Sequence, residues 1–174
     1  MYENGDLVVY GSTGVCRVEG VVKPYSHGTE RDRLFYQLNP LYQEGTIFTP
    51  VEGGKVQMRP VMSSGEAKNL IAQIPSVEVE PCRERTLQLL AQRYQSALQS
   101  GSCLNLLKLT MSVHAKREQA ESRKRHLGAV DEKYGRQAER LLFGELAVAL
   151  GIPMEQVKIF IAAKVENLGQ TQSM

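Results

Sequence analysis

The chain has 174 residues, 42% of them hydrophobic and 23% charged, with a formal net charge of +2, enough for one medium domain or two small ones. Disorder, collagen and sustained heptads are excluded, and no apolar run approaches the ~20 residues of a membrane-spanning helix. The opening Met1 to Asp6 is acidic and polar, the reverse of a secretory leader, so a cytoplasmic protein is expected.

The first sixty residues read as short strands, because β-branched and aromatic residues recur in runs of four to six between Gly, Pro and Asn. Five strands are predicted: Leu7–Tyr10, Gly14–Lys23, Leu34–Asn39, Gly45–Pro50 and Val56–Pro60. Gly11 and Gly14 bracket the first turn, Ser26-His27-Gly28-Thr29 makes a second, and Glu52-Gly53-Gly54-Lys55 is expected to close a hairpin between the last two strands. Five short strands make a small barrel, because such a sheet cannot cover its own apolar face while flat.

After Pro60 the apolar period changes from 2 to 3.6. Ser63 with Glu66 three residues later is a capping box that opens a short helix to about Ile74, and Pro75 to Pro81 is an extended linker. Leu87, Leu90, Tyr94, Ala97 and Leu98 form a stripe ending at Gly101, and Ser102 caps the next helix, which runs through Leu104, Leu107 and Met111 until Gly128 breaks it. Asp131 is expected to cap a helix with the stripe Tyr134, Ala138, Leu141, Leu142 and Leu146, stopped by Gly151. Pro153 starts the last helix, whose Val157, Ile161 and Val165 face inward before a polar tail from Asn167. Four short-looped helices imply a bundle. The fold class is α+β: residues 1–62 a β-barrel, 63–81 a short helix and linker, 82–168 a helical domain and 169–174 a tail.

Charge is unevenly shared between the halves. Residues 1–74 carry seven Lys/Arg against eight Asp/Glu, whereas Lys108 to Arg140 carries nine basic and five acidic side chains. Seven of the eleven Phe and Tyr residues lie in the first half. The basic run Lys116-Arg117, Arg123-Lys124-Arg125 and Lys133 is of the kind that neutralises phosphates without reading bases, or else is a solvated helix face. On the strand side, Ile47 and Phe48 cannot both face inward, so either one is exposed or a bulge buries both. An open strand edge there is a candidate site for an extended partner.

No constellation for catalysis is present: there is no Gly-rich phosphate loop, nucleophile elbow, zinc-helix motif or acidic calcium loop. His27, His114 and His126 stand apart, so no metal ligand set or general base emerges. Cys16, Cys82 and Cys103 are odd in number and lack a C-x-x-C pair, which points to neither disulfides nor zinc. Cys16 beside Arg17 is the one candidate nucleophile, and a packed thiol is its ordinary reading. No catalytic residue, metal or cofactor is expected, and function is placed on surfaces.

Asn4-Gly5-Asp6-Leu7-Val8-Val9-Tyr10-Gly11, followed by Gly14-Val15 and Val18-Glu19, then Phe35-Tyr36-Gln37-Leu38, Gly45-Thr46-Ile47-Phe48-Thr49-Pro50-Val51 and Met58-Arg59-Pro60-Val61, occur in a characteristic order. Gln92-Arg93-Tyr94 and Ala138-x-x-x-Leu142-x-x-Glu145-Leu146-Ala147 continue it. From residue 2 to about 165 this resembles the CarD-type transcription regulators, a bacterial family that binds RNA polymerase. The resemblance implies a Tudor-like (SH3-like) barrel docked on the polymerase β subunit and a helical domain touching promoter DNA just upstream of the melted region. Three positions depart from the family pattern. A tryptophan wedge is Leu90 here, a basic residue of the polymerase-facing strand is Phe48, and a serine opening the third helix is Gly128.

The expected polymerase-binding residues are Lys23, Arg31, Arg33, Thr46, Ile47, Phe48 and Thr49. The expected DNA-binding residues are Arg85, Leu90, Arg93, Arg123, Lys124, Arg125 and Lys133. The expected protein is a monomeric, non-enzymatic regulator that binds the polymerase β subunit and, weakly and without sequence preference, promoter DNA, stabilising the open complex. It needs no membrane. The alternative is an adaptor on polymerase with no DNA contact.

Overall fold

The computed structural model describes residues 1–23 and 32–172, which form five strands followed by five α-helices. The expected turn at Ser26 to Thr29 and the expected contact residue Arg31 lie outside the described residues. Two units divide the chain, Met1–Val61 and Met62–Met174, the first built of strands and the second of helices.

The strands are β1 (Leu7–Tyr10), β2 (Gly14–Val22), β3 (Phe35–Pro40), β4 (Ile47–Pro50) and β5 (Met58–Pro60). All pairings are antiparallel, in the order β4-β3-β2-β1-β5. Among the described residues the sheet therefore has two edges, β4 and β5, and its ladder is not closed between them, so the pairing gives an open five-stranded sheet where a closed barrel was expected. The Glu52 to Lys55 segment does not make the expected hairpin, because β5 pairs with β1, Val9 opposite Arg59 and Tyr10 opposite Met58. Pro60 ends β5 on an edge, where a missing N–H disrupts no ladder. Gly11 has φ +45, and a Cβ there would lie 2.6 Å from Val56 Cγ1, so turn geometry and close approach both require glycine. A register shift between Val18 and Gly20 bends β2. Val8, Cys16, Val18, Tyr36 and Leu38 form the buried face.

In the helical unit, α1 (Ser64–Gln73) has the expected capping box: Glu66 N–H donates to Ser63 Oγ at 3.2 Å and Ser63 N–H to Glu66 Oε2 at 2.7 Å. Ala67 and Ile71 are buried, and Met62 N–H donates to the buried Glu145 Oε1 at 3.0 Å. Thr86 caps α2 (Leu87–Gln99) and Ser102 caps α3 (Cys103–Ser122). α3 ends six residues before Gly128, which is itself the N-cap of α4 (Ala129–Leu150). The expected cap, Asp131, instead sits in the first turn, its carboxylate engaged elsewhere. Gly151 ends α4 at φ +66, and α5 (Met154–Gln172) reaches into the stretch expected to be tail. Leu90, Tyr94, Leu98, Leu107, Val113, Ala138, Leu142, Leu146 and Val157 fill the core. Leu87, placed in that stripe by its spacing, is 70% exposed at the first position of α2. Among the described residues no single helix is long and apolar enough to cross a membrane.

Candidate functional site

On β4 the alternation of a strand sorts the candidate residues. Ile47 pairs with Leu38 and packs against the sheet core, and Thr49 pairs with Tyr36 and is buried. Phe48, between them, points to the other face and is 55% exposed. A bulge burying both apolar side chains is therefore absent from β4. Among the described residues β4 pairs with β3 alone, so its other edge is the open one of the sheet beside this phenylalanine. Thr46 Oγ1 donates to Asn39 Oδ1 at 3.1 Å, and Arg33 Nη2 donates to Glu52 O at 3.1 Å with its guanidinium 5.9 Å from the Phe35 ring centre. These bonds brace the two ends of the β3–β4 pair. Lys23 is exposed just beyond β2.

Beside β4 and β5 lies a cleft of about 430 Å³ lined by Tyr2, Tyr36, Thr49, Val51 and Met58. Tyr2 N–H donates to Tyr36 OH at 3.1 Å, and the two rings meet edge-on at 5.8 Å. Cys16 is fully buried, its thiol donating to Gly14 O at 3.6 Å, and burial pushes that thiol up to about 11. A protonated, inaccessible sulfur is no nucleophile, which removes the one catalytic candidate.

In the helical unit many of the cations are already neutralised. Lys116 Nζ lies 2.7 Å from Asp131 Oδ1 and also donates to Cys82 O at 2.9 Å. Tyr94 OH donates to the same Asp131 oxygen at 2.6 Å, and burial, reinforced by that bond, raises the tyrosine pKa well above its usual value. Arg117 and Arg136 both pair with Glu132, at 3.4 and 2.8 Å, and hold its carboxyl below the usual range, Arg136 foremost. Arg93 pairs with Glu84 at 2.9 Å. The Lys116-Arg117 part of the expected phosphate-facing run is thus engaged with acids of α4.

Arg123, Lys124 and Arg125 differ. All three are exposed, and among the described residues no acid pairs with them. Arg123 and Arg125 line one cleft together with Arg83, which the sequence did not single out, and His126, which it weighed only as a metal ligand or general base. Arg85, Arg93 and Lys133 do not line it; Arg85 is exposed before α2, and Lys133 lies 5.3 Å over the Tyr134 ring. Leu90 requires correction: at 6% exposure it is a core residue packed in the bundle, so it has no side chain to insert between bases. The exposed apolar side chains of that helix are Leu87 and Leu89. The leucine cluster Leu87-Gln88-Leu89-Leu90 signalled them, since one face of one helical turn cannot bury all three.

Among the described residues, no group of His, Cys, Asp and Glu is placed to hold a metal ion. Residues 2–62 match the family model described as the CarD-like/TRCF RID domain. The match spans the strand unit and stops where the helical unit begins. No curated protein matches the chain.

Proposed function

We propose, from the premise that residues 2–62 belong to the CarD-like RNA polymerase-interacting domain family, that this chain is a cytoplasmic, monomeric transcription regulator. It docks on the polymerase β subunit and leans its helical unit on promoter DNA at the upstream edge of the bubble. The domain family is a protein-interaction family, not an enzyme family. In this reading the strand unit is an open, Tudor-like five-stranded sheet whose gripping surface is β4 with Lys23, Arg33 and Thr46. Main-chain hydrogen bonds along the β4 edge supply affinity, and Phe48 supplies an apolar contact where the family pattern has a basic one. The DNA-facing groups are Arg85, Arg93, Arg123, Lys124, Arg125 and Lys133, and the exposed Leu87 and Leu89 lie between Arg85 and Arg93 in sequence.

The observation that carries the proposal is the exposed Phe48 on a free strand edge inside the matched region. Open-complex stabilisation is then a linkage effect: a protein touching the open complex more than the closed one shifts their balance by its differential affinity, tenfold for about 1.4 kcal/mol. Co-purification with the polymerase β subunit tests the docking. Phe48→Glu should lose the complex while changing stability by no more than about 0.5 kcal/mol, as for an exposed site. Undiminished retention would exclude β4. The adaptor reading, without DNA contact, draws support from the pairing of Arg93, Lys116, Arg117 and Arg136 with acids and from the burial of Leu90.

A further inference from the structure

The cleft between the end of α3 and the start of α4 has a volume of about 170 Å³ and is lined by Arg83, Arg123, Arg125 and His126. Its walls are held in place. Arg83 Nη2 donates to Gln119 Oε1 at 2.6 Å. Arg123 and Arg125 flank Lys124, the one non-glycine residue with positive φ among the described residues, at +54°. Arg125 N–H folds back onto Ala120 O at 2.8 Å. This helix ending usually uses glycine in the left-handed position. With lysine there it costs on the order of 1 kcal/mol. The reversal brings both arginines to the cleft and leaves Lys124 out of its lining.

The acid in the lining, Asp131, is spoken for: its Oδ1 receives both Lys116 and Tyr94. Three arginines and a histidine therefore line one small space whose single carboxylate, Asp131, is already paired with Lys116, which also lines it. A DNA backbone phosphate is a diester bringing a single negative charge. A phosphomonoester brings about −1.5 to −2 at pH 7 and three acceptor oxygens, matching the several forked donors that line this cleft. We infer that this cleft is a receptor for a phosphomonoester or pyrophosphate group carried by a free small molecule. The inference stands apart from the polymerase reading; where that reading also holds, an occupied cleft withdraws Arg123 and Arg125 from DNA, so the ligand would counteract the regulator.

Calorimetric titration of the full chain with pyrophosphate, in the absence of DNA and polymerase, tests this. A single saturable site is expected. The double substitution Arg123→Ala with Arg125→Ala should weaken it at least roughly tenfold, since charge-assisted bonds are lost. Arg125→Lys, which keeps the charge and the fold but not the fork, should weaken it as well, and Arg140→Ala, an exposed arginine of α4 outside the cleft, should leave it unchanged. No saturable binding, or equal weakening by Arg140→Ala, overturns the inference. So does displacement of pyrophosphate by a short duplex lacking terminal phosphates at equal potency per phosphate, because the occupant would then be the DNA backbone.

Discussion

The Lys116–Asp131 pair shows how a residue that reads as surface charge becomes structural. Both side chains are nearly buried, at 14% and 8% exposure, and Tyr94 completes the set from α2. Breaking a buried pair leaves an uncompensated charge, so Asp131→Asn should cost about 3 kcal/mol in urea unfolding. Replacing Lys116 by Met in the same chain should recover part of that loss. Cys16 makes a prediction in pH. Its folded value lies at about 11, above the usual 9.0, so its contribution is complete below pH 9 and is lost as pH rises toward 11. Urea midpoints of the strand unit's unfolding should fall over that window, and Cys16→Val should flatten the decline.

At the scale of elements, α3 and α4 approach closely at Gly135. A Cβ there would lie 2.7 Å from Val113 Cγ1 and 3.3 Å from its Cβ, and both residues are buried in the unit's core. Gly135→Ala should therefore destabilise by ~1–3 kcal/mol despite its better helix propensity, read as a lowered melting temperature. The same substitution at Gly169, with nothing near its Cβ position, should not. β4 and β5 make the complementary case: among the described residues each is short, pairs on one side only and ends in proline, at Pro50 and Pro60. Proline does not separate the two edges; the docking surface is assigned to β4 because that strand carries the 55% exposed Phe48.

For the molecule as a whole, the proposed labour is divided between the two units, and that division is separable by mutation. Arg123→Glu, Lys124→Glu and Arg125→Glu together should leave polymerase co-purification intact, abolish the effect on open-complex lifetime and flatten its salt dependence, each neutralised phosphate adding about 0.9 to the slope of log K against log salt. An unchanged lifetime would favour the adaptor.

Much of this protein is local and therefore legible from its order of residues. Strand β1 follows from its run of Val and Tyr, the box at Ser63 and Glu66 from side-chain chemistry, and the stop at Gly151 from its tolerance of positive φ. The Phe48-or-Ile47 choice was posed by strand alternation, and the core settled it by accepting Ile47. Only tertiary structure sent β5 to β1 rather than to β4, because pairing depends on which edges lie near one another and not on the turn sequence alone. Only it buried Leu90 while exposing Leu87, since the bundle covers one face of α2. And only it parted the cations into those spent on Asp131 and Glu132 and those, Arg123 and Arg125, gathered with Arg83 from forty residues away. Charge is written residue by residue, whereas whether a charge meets its opposite depends on distances that folding alone creates.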